Sequence, residues 1–401
     1  MVASRVVVHI GLQKSGTTYL QKILQQLADE LAAAGVRYPL PRPRRGRSEF
    51  NHERATYGLI GTEYTWVSEQ RREQARGTWR WLVEQVRAHP GTVLLSAEAL
   101  SVIRSGGIHR LVEELGGDID VVVTARDLGR ILPSLWQQHL RNGRVSSFGG
   151  YLRDLADQRD RPLEDREDVA ELHLWRAFAL GGLARRWAKV VGTDRIRVVT
   201  SPREAPAEQL WSRFCRAAEI PADAARPSKE LLRQRTHTGL TAPEAAVLAS
   251  LNSALQEAGW DHQAAAGLRQ RIIVNGFAPL KERGPRIVVP KEWRDRIAAW
   301  SDEDVDQLID TGVPILGDAD DLRYDPGYDD VPAPSPEDVA RAAAAAVLTA
   351  NDAPRPGAAG PSAVLESQDE AAVDIDAARS GATGPYRRAA SWMKRRGRSA
   401  G

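Results

Sequence analysis

The chain has 401 residues, 42% apolar and 27% charged, enough to bury a sizeable core, and at about 150 residues per domain it has room for two or three domains or for one large domain with appendages. A single cysteine, Cys215, excludes an internal disulfide framework and any multi-cysteine zinc or iron–sulfur site, and eight scattered histidines without HExxH spacing give no reason to expect a metal. A net charge of +2 argues against sequence-blind nucleic-acid binding, no run of about 18 apolar residues offers a membrane span, and an N-terminus that enters a strand at once gives the cytoplasm as the expected compartment.

The first strand is read at Val6 to Ile10. Leu20, Ile23, Leu24, Leu27 and Leu31 then recur at i, i+3, i+4, i+7 and i+11, one face of a helix. Val36 to Tyr38 is a weaker strand, Trp79 to Val86 a helix, and Thr92 to Ser96 and Asp120 to Thr124 are near-continuous β-branched runs. Ile131 to Leu140 is helical, as is a long stretch from Arg166 to Val191, and Ile196 to Thr200 is a further strand. Strands that are apolar throughout belong to a sheet covered on both faces. Their alternation with helices predicts an α/β fold with a central parallel sheet and helical elaborations. Thr241-Ala242-Pro243-Glu244 combines an N-cap, a first-turn proline and a third-position glutamate, opening a helix to about Ala258.

From Ser301 to Asp338 the chain carries 13 acidic residues and one basic residue, Arg323. That stretch includes Pro-Ala-Pro-Ser-Pro from Pro332, and an alanine-rich run from Ala340 to Ala350 follows it. This composition predicts a globular domain over 1–325 and a disordered low-complexity tail over 326–401. Arg387, Arg388, Lys394, Arg395, Arg396 and Arg398 make the end of that tail basic, which reads first as a solvated tail without a specific partner.

The chemistry concentrates in Gly11-Leu12-Gln13-Lys14-Ser15-Gly16-Thr17-Thr18, between the first strand and the first helix. Glycine lets the backbone approach an anion, and successive N–H groups and the helix dipole hold it. Ser15, Thr17 and Thr18 offer hydroxyls, and Lys14 offers a mobile charge in a chain with 48 arginines and only 7 lysines. These features make the loop a phosphate site on physical grounds. It is not a Walker A loop, because the lysine precedes Gly16 by two positions and Thr17 stands where that pattern has lysine.

The loop resembles the 5′-phosphosulfate loop of sulfotransferases that use 3′-phosphoadenosine 5′-phosphosulfate, in which a strand leads to Pro-Lys-Ser/Thr-Gly-Thr-Thr and a helix. Lys14, Ser15, Gly16, Thr17 and Thr18 match, and Gln13 stands in place of the frequent proline. The family also has an arginine at a strand end and a serine eight residues on, both gripping the 3′-phosphate of the donor. Arg126 and Ser134 have that spacing, and an arginine fork with a serine on the next helix suits phosphate.

The resemblance covers roughly residues 5 to 323. Leu135-Trp136-Gln137 through Arg141-Asn142-Gly143 looks like the bacterial branch, as does Gly317-Asp318 to Leu322 more loosely, while the C-terminal Arg-Lys-Gly motif of the cytosolic animal enzymes has no match beyond Lys281, Arg283 and Gly284. The resemblance implies a P-loop-like three-layer fold and metal-independent transfer of a sulfuryl group from that donor. The acceptor it implies is a hydroxyl or amine of a glycan, lipid or secondary metabolite.

Family members use a histidine or glutamate just past the strand preceding the 3′-phosphate strand. Glu98, after Thr92 to Ser96, takes that place and would be the general base; His52 and His139 are the alternatives. His9, inside the first strand, and Cys215 read as structural. A P-loop small-molecule kinase and an inactive binding protein on the same fold are the competing readings.

Overall fold

The computed structural model describes residues 5–41, 50–221, 226–233 and 239–350. Six strands form one sheet: β1 (Arg5–His9), β2 (Val36–Arg37), β3 (Thr92–Ser96), β4 (Asp118–Ala125), β5 (Ile196–Thr200) and β6 (Ile315–Leu316). All pair in parallel, in the order β2-β3-β1-β4-β5-β6. The helices used below are α1 (Thr17–Gln26), α2 (His52–Ile60), α3 (Glu69–Ala88), α4 (Ser105–Leu115), α5 (Leu128–Arg141), α6 (Leu180–Val191), α7 (Ala207–Ala218), α8 (Ala242–Glu257), α9 (Arg294–Asp310) and α10 (Pro336–Ala350).

Alternation along each strand divides the interior in two. Val7, Leu94, Val122 and Val199 face α1 and α7 on one side. Val6, Val8, Val93, Leu95, Val121, Val123 and Val198 face α2 to α6 on the other. Side chains along a strand point alternately to opposite faces, so a β-branched run without polar gaps has to be covered twice. The result is the expected three-layer α/β arrangement.

β1 lies within the sheet; from it the chain crosses to the outer β2, steps back to β3, then crosses to the other side of β1 and winds outward through β4, β5 and β6. The carboxyl ends of β3, β1 and β4 are therefore neighbours, with His9 in register with Ser96 on one side and Val122 on the other. Ligands of open α/β sheets bind where the winding reverses. That is where the Lys14 loop, Glu98 and Arg126 leave their strands.

The fold does not end at residue 325. Pro326–Asp329 form a turn of 3₁₀ helix with Asp329 fully buried, and α10 follows. Ala342, Ala345 and Ala346 are buried in the main core, and Thr349 is buried beside them. The alanine run that looked too plain to fill a core works by close approach: a side chain at Gly276, on the π-helical turn Ile272–Phe277, would meet Thr349 Oγ1 at 3.0 Å and the Ala345 carbonyl at 3.2 Å. The long helix read over 166–191 is four short pieces, Leu163–Asp168, Ala170–Leu172, His173–Arg176 and α6. Residues 351–401, where the rest of the tail and its basic end were expected, lie outside the described residues. Among the described residues no helix is long and apolar enough to cross a membrane.

Candidate anion-binding site at the carboxyl ends of three strands

The loop after β1 is held rigid from beneath. Ser15 Oγ donates to the Leu12 carbonyl at 2.6 Å and lies 2.8 Å from Thr124 Oγ1. His9 Nε2 is 3.1 Å from that same Thr124 hydroxyl, and its Nδ1 is 2.9 Å from Ser96 Oγ, which accepts from Gln21 Nε2 at 3.1 Å. One assignment of protons satisfies the whole chain: Gln21 to Ser96, Ser96 to His9 Nδ1, His9 Nε2–H to Thr124, Thr124 to Ser15, Ser15 to Leu12. His9 is then neutral, in keeping with burial that lowers its pKa to about 3. It is structural, as read from the sequence.

Ser15 points beneath the loop. Its side chain is buried and its hydroxyl donates to the Leu12 carbonyl. The reason lies in the backbone. Lys14 (φ 62°) and Gly16 (φ 98°) both adopt left-handed conformations, which turn the serine between them inward. Lys14 holds that conformation without being glycine, an outlier of the sort found at ligand sites. Gly11 admits no side chain: a Cβ there would lie 2.0 Å from Thr124 Oγ1 and 2.6 Å from Thr17 Cγ2.

What the loop does present is the start of α1. Gly16 is its N-cap, with no side-chain cap and no acidic residue in the first turn. The first-turn N–H groups therefore have no partner within the helix, and the first turn carries no acidic residue of its own. Thr18 is half-buried in that turn; Thr17 is buried, and its hydroxyl donates to Glu98 Oε2. The structure thus brings Glu98 to the phosphate-type loop, as the adjacency of β3 and β1 requires.

The alternative bases fare differently. His52 accepts the Ser96 N–H at Nδ1 (3.1 Å) and donates from Nε2 to the Pro39 carbonyl (2.7 Å), which occupies both nitrogens. Burial lowers its pKa to about 4. His139 is buried on α5 against Tyr151, and burial, reinforced by Arg144, His173 and Lys14, lowers its pKa to about 3. An imidazole so reluctant to take a proton is a poor general base near neutrality.

Arg126 follows β4, and its Nη1 donates to the Lys14 carbonyl at 2.8 Å. Its Nε is buried with no hydrogen-bond partner. Burial and the guanidiniums of Arg130 and Arg203 pull its pKa down to about 9, against the opposing pull of Asp127, so it stays charged at neutral pH. Asp127 organises the cluster. Its carboxylate caps α5 through the Arg130 N–H (3.0 Å), pairs with Arg130 Nε and accepts from Arg203 Nη2 at 3.2 Å. Arg203 also lies over the Tyr328 ring, 4.5 Å from its centroid. Ser134 is half-buried on α5, one turn beyond Arg130 and on the same helix face.

Sequence reasoning missed Arg130 and Arg203. Arg130 was within reach of a helical-face argument, four residues from both Arg126 and Ser134. Arg203, on the segment after β5, gives no local signal. Among the charges acting on Arg126, described residues supply two guanidiniums and one carboxylate. Such a cluster carries surplus positive charge and an orphaned donor, and a bound anion supplies what both lack.

No group of three or more histidine, cysteine, aspartate or glutamate side chains suited to a metal occurs among the described residues. No family model and no curated protein matches the chain. Among solved structures, the crystal structure of a sulfotransferase from Alicyclobacillus acidocaldarius aligns at 14% identity with a TM-score of 0.34, covering 66% of this chain and 99% of that one. At that level of likeness the chemistry has to come from this chain's own residues.

Proposed function

We propose that the protein is a sulfotransferase using 3′-phosphoadenosine 5′-phosphosulfate, and that the carboxyl ends of β3, β1 and β4 form its donor site. The observation that carries this reading is the bond from Arg126 to the Lys14 carbonyl, with a buried Arg126 Nε left over. It joins two anion-binding features of different kinds, one made of backbone donors and one of guanidiniums. A ligand with two separate phosphate-like groups fits such a pair.

The residues suit the donor. The uncapped start of α1, with Gly16, Thr17, Thr18 and the Lys14 side chain, would hold the 5′-phosphosulfate. Arg126 with Ser134, joined by Arg130 and Arg203, would hold the 3′-phosphate. When bound, the donor supplies a sulfuryl group whose transfer forms an S–O or S–N bond, breaks the S–O bond to the 5′-phosphate and leaves that electron pair on the bisphosphate. Lys14 would place positive charge against the oxygens on which charge accumulates. Glu98 would take the proton of the acceptor hydroxyl or amine, released for this task when an anion at the start of α1 claims the Thr17 hydroxyl. The acceptor class carried by this reading is a glycan, lipid or secondary metabolite.

The test is donor turnover. Release of labelled sulfate from the donor, to water or to acceptors in a screen, should occur in the wild type and be abolished in Lys14→Ala. Retained turnover in Lys14→Ala would overturn the mechanism.

A further inference from the structure

The residue placed to work as the base is only as good as the backbone that aims it, and the backbone around Glu98 is clamped from an unexpected direction. Two consecutive residues of the first turn of α2 reach across to the exit of β3. His52 Nδ1 accepts the Ser96 N–H at 3.1 Å. Glu53 Oε2 accepts the Ala99 N–H at 2.9 Å, while its Oε1 accepts the Tyr57 hydroxyl at 3.1 Å. Between them, the Ala97 N–H donates to the His9 carbonyl at 2.9 Å. Amides on both sides of Glu98 are therefore tied to the body of the protein.

Glu53 is buried, and a buried carboxylate is an expensive way to hold the amides of a turn. Burial pushes its pKa up, while the Ala99 amide, the Tyr57 hydroxyl, Arg54 and the Glu98 amide pull it back. The α2 dipole also favours a carboxylate at this first-turn position, and Asn51 caps the same helix by accepting the Glu53 N–H at 2.7 Å. An apolar residue would pack here at less electrostatic cost but would release the turn that carries Glu98.

We propose that Glu53 is a positioning residue that acts through Glu98, holding the turn Glu98–Val102 so that the Glu98 carboxylate meets the Thr17 hydroxyl at the mouth of the Lys14 loop. The proposal rests on the donor-site reading above. His52 and Glu53 make α2 part of the site without touching the donor. A change in α2 would therefore be felt as a loss of turnover and not of donor binding.

The experiment compares Glu53→Ala, Glu53→Gln, Glu98→Gln and the double variant Glu53→Ala/Glu98→Gln with the wild type. Three readouts apply: sulfate release from the donor, calorimetric affinity for 3′-phosphoadenosine 5′-phosphate, and amide exchange over 95–102. Glu53→Ala should lower turnover at least about thirtyfold, leave the bisphosphate affinity within about twofold and speed exchange over 95–102. Glu53→Gln should recover most of the turnover, because its amide oxygen still accepts from Ala99. The double variant should be no slower than Glu98→Gln, since residues that act as a unit are not additive.

Multiplying losses in the double variant would overturn the proposal, as would full turnover in Glu53→Ala or unchanged exchange over 95–102. A matching fall in bisphosphate affinity would reduce Glu53 to general support of the fold and overturn it too. If the wild type binds no bisphosphate, the donor reading has failed. In that case faster exchange in Glu53→Ala still supports the clamp, and unchanged exchange overturns it.

Discussion

Arg126 and Arg323 are the same side chain in opposite fields. Arg323 is held by Asp302 at 3.1 Å, Asp306 at 2.6 Å and Asp320 at 3.2 Å, and these partners raise its pKa. Arg126 shares its surroundings with Arg130 and Arg203, has one carboxylate nearby and is pulled down to about 9. The first arrangement is complete: it closes the loop after β6 onto α9 and asks for nothing more. The second has surplus charge and a buried donor with no acceptor. The mutual repulsion of these guanidiniums works against the native state, as it does between the buried Arg176 and Arg186. The contrast separates an arginine balanced by carboxylates from one held among like charges.

The largest effect that would sharpen this contrast is chemical. Glu98→Gln should lower turnover by about 10²- to 10⁴-fold, the usual worth of a positioned base, while calorimetry finds bisphosphate binding intact. Unchanged turnover would remove Glu98 as the base. Arg126→Ala should weaken bisphosphate binding by about 1.5–3 kcal/mol, the cost of losing a charged hydrogen bond, or roughly tenfold to a hundredfold in Kd.

Gly11→Ala should destabilise the ligand-free protein by about 1–3 kcal/mol in denaturant titration, since the new methyl group overlaps Thr124 and Thr17. Acid should act through the buried neutral histidines. His9 and His52 titrate in the folded state at about 3 and about 4, below their ordinary 6.5, so the unfolded chain binds more protons. Stability is then full above about pH 6.5 and falls as the pH drops toward 4, by up to about 1.4 kcal/mol per pH unit for each histidine. Melting temperatures measured from pH 7 to 5 should show the fall, and a smaller one in His52→Gln. Arg323→Ala should cost under about 1 kcal/mol, as surface ion pairs do, and leave bisphosphate affinity unchanged.

Much of the fold was legible because buried parallel strands write themselves as apolar runs. Thr92–Ser96 and Ile196–Thr200 fall where the sequence placed them, and the capped start at Thr241 does too: its N–H donates to Glu244 Oε2 at 2.8 Å. β6 escaped because Ile315–Leu316 is too short to show a period, and it lies in an acidic stretch. α10 escaped because alanine-rich composition predicts no core, yet small side chains pack well against a glycine. In the site, strand ends are local features and could be read. Side-chain directions could not: nothing in Lys14-Ser15-Gly16 announces that two left-handed residues turn Ser15 under the loop. Convergence was equally hidden, since Arg203 reaches Asp127 and Glu53 reaches Ala99 only through the tertiary fold.

The donor reading makes the start of α1 and the Arg126 cluster two ends of one ligand site. Calorimetric titration with 3′-phosphoadenosine 5′-phosphate and with adenosine 5′-monophosphate, both in chelator, decides whether they are. The bisphosphate should bind at least about tenfold more tightly without metal; Arg126→Ala should erase the difference and Arg323→Ala preserve it. Equal affinity for the two nucleotides, or tighter binding of magnesium-ATP than of the bisphosphate, would contradict the donor reading.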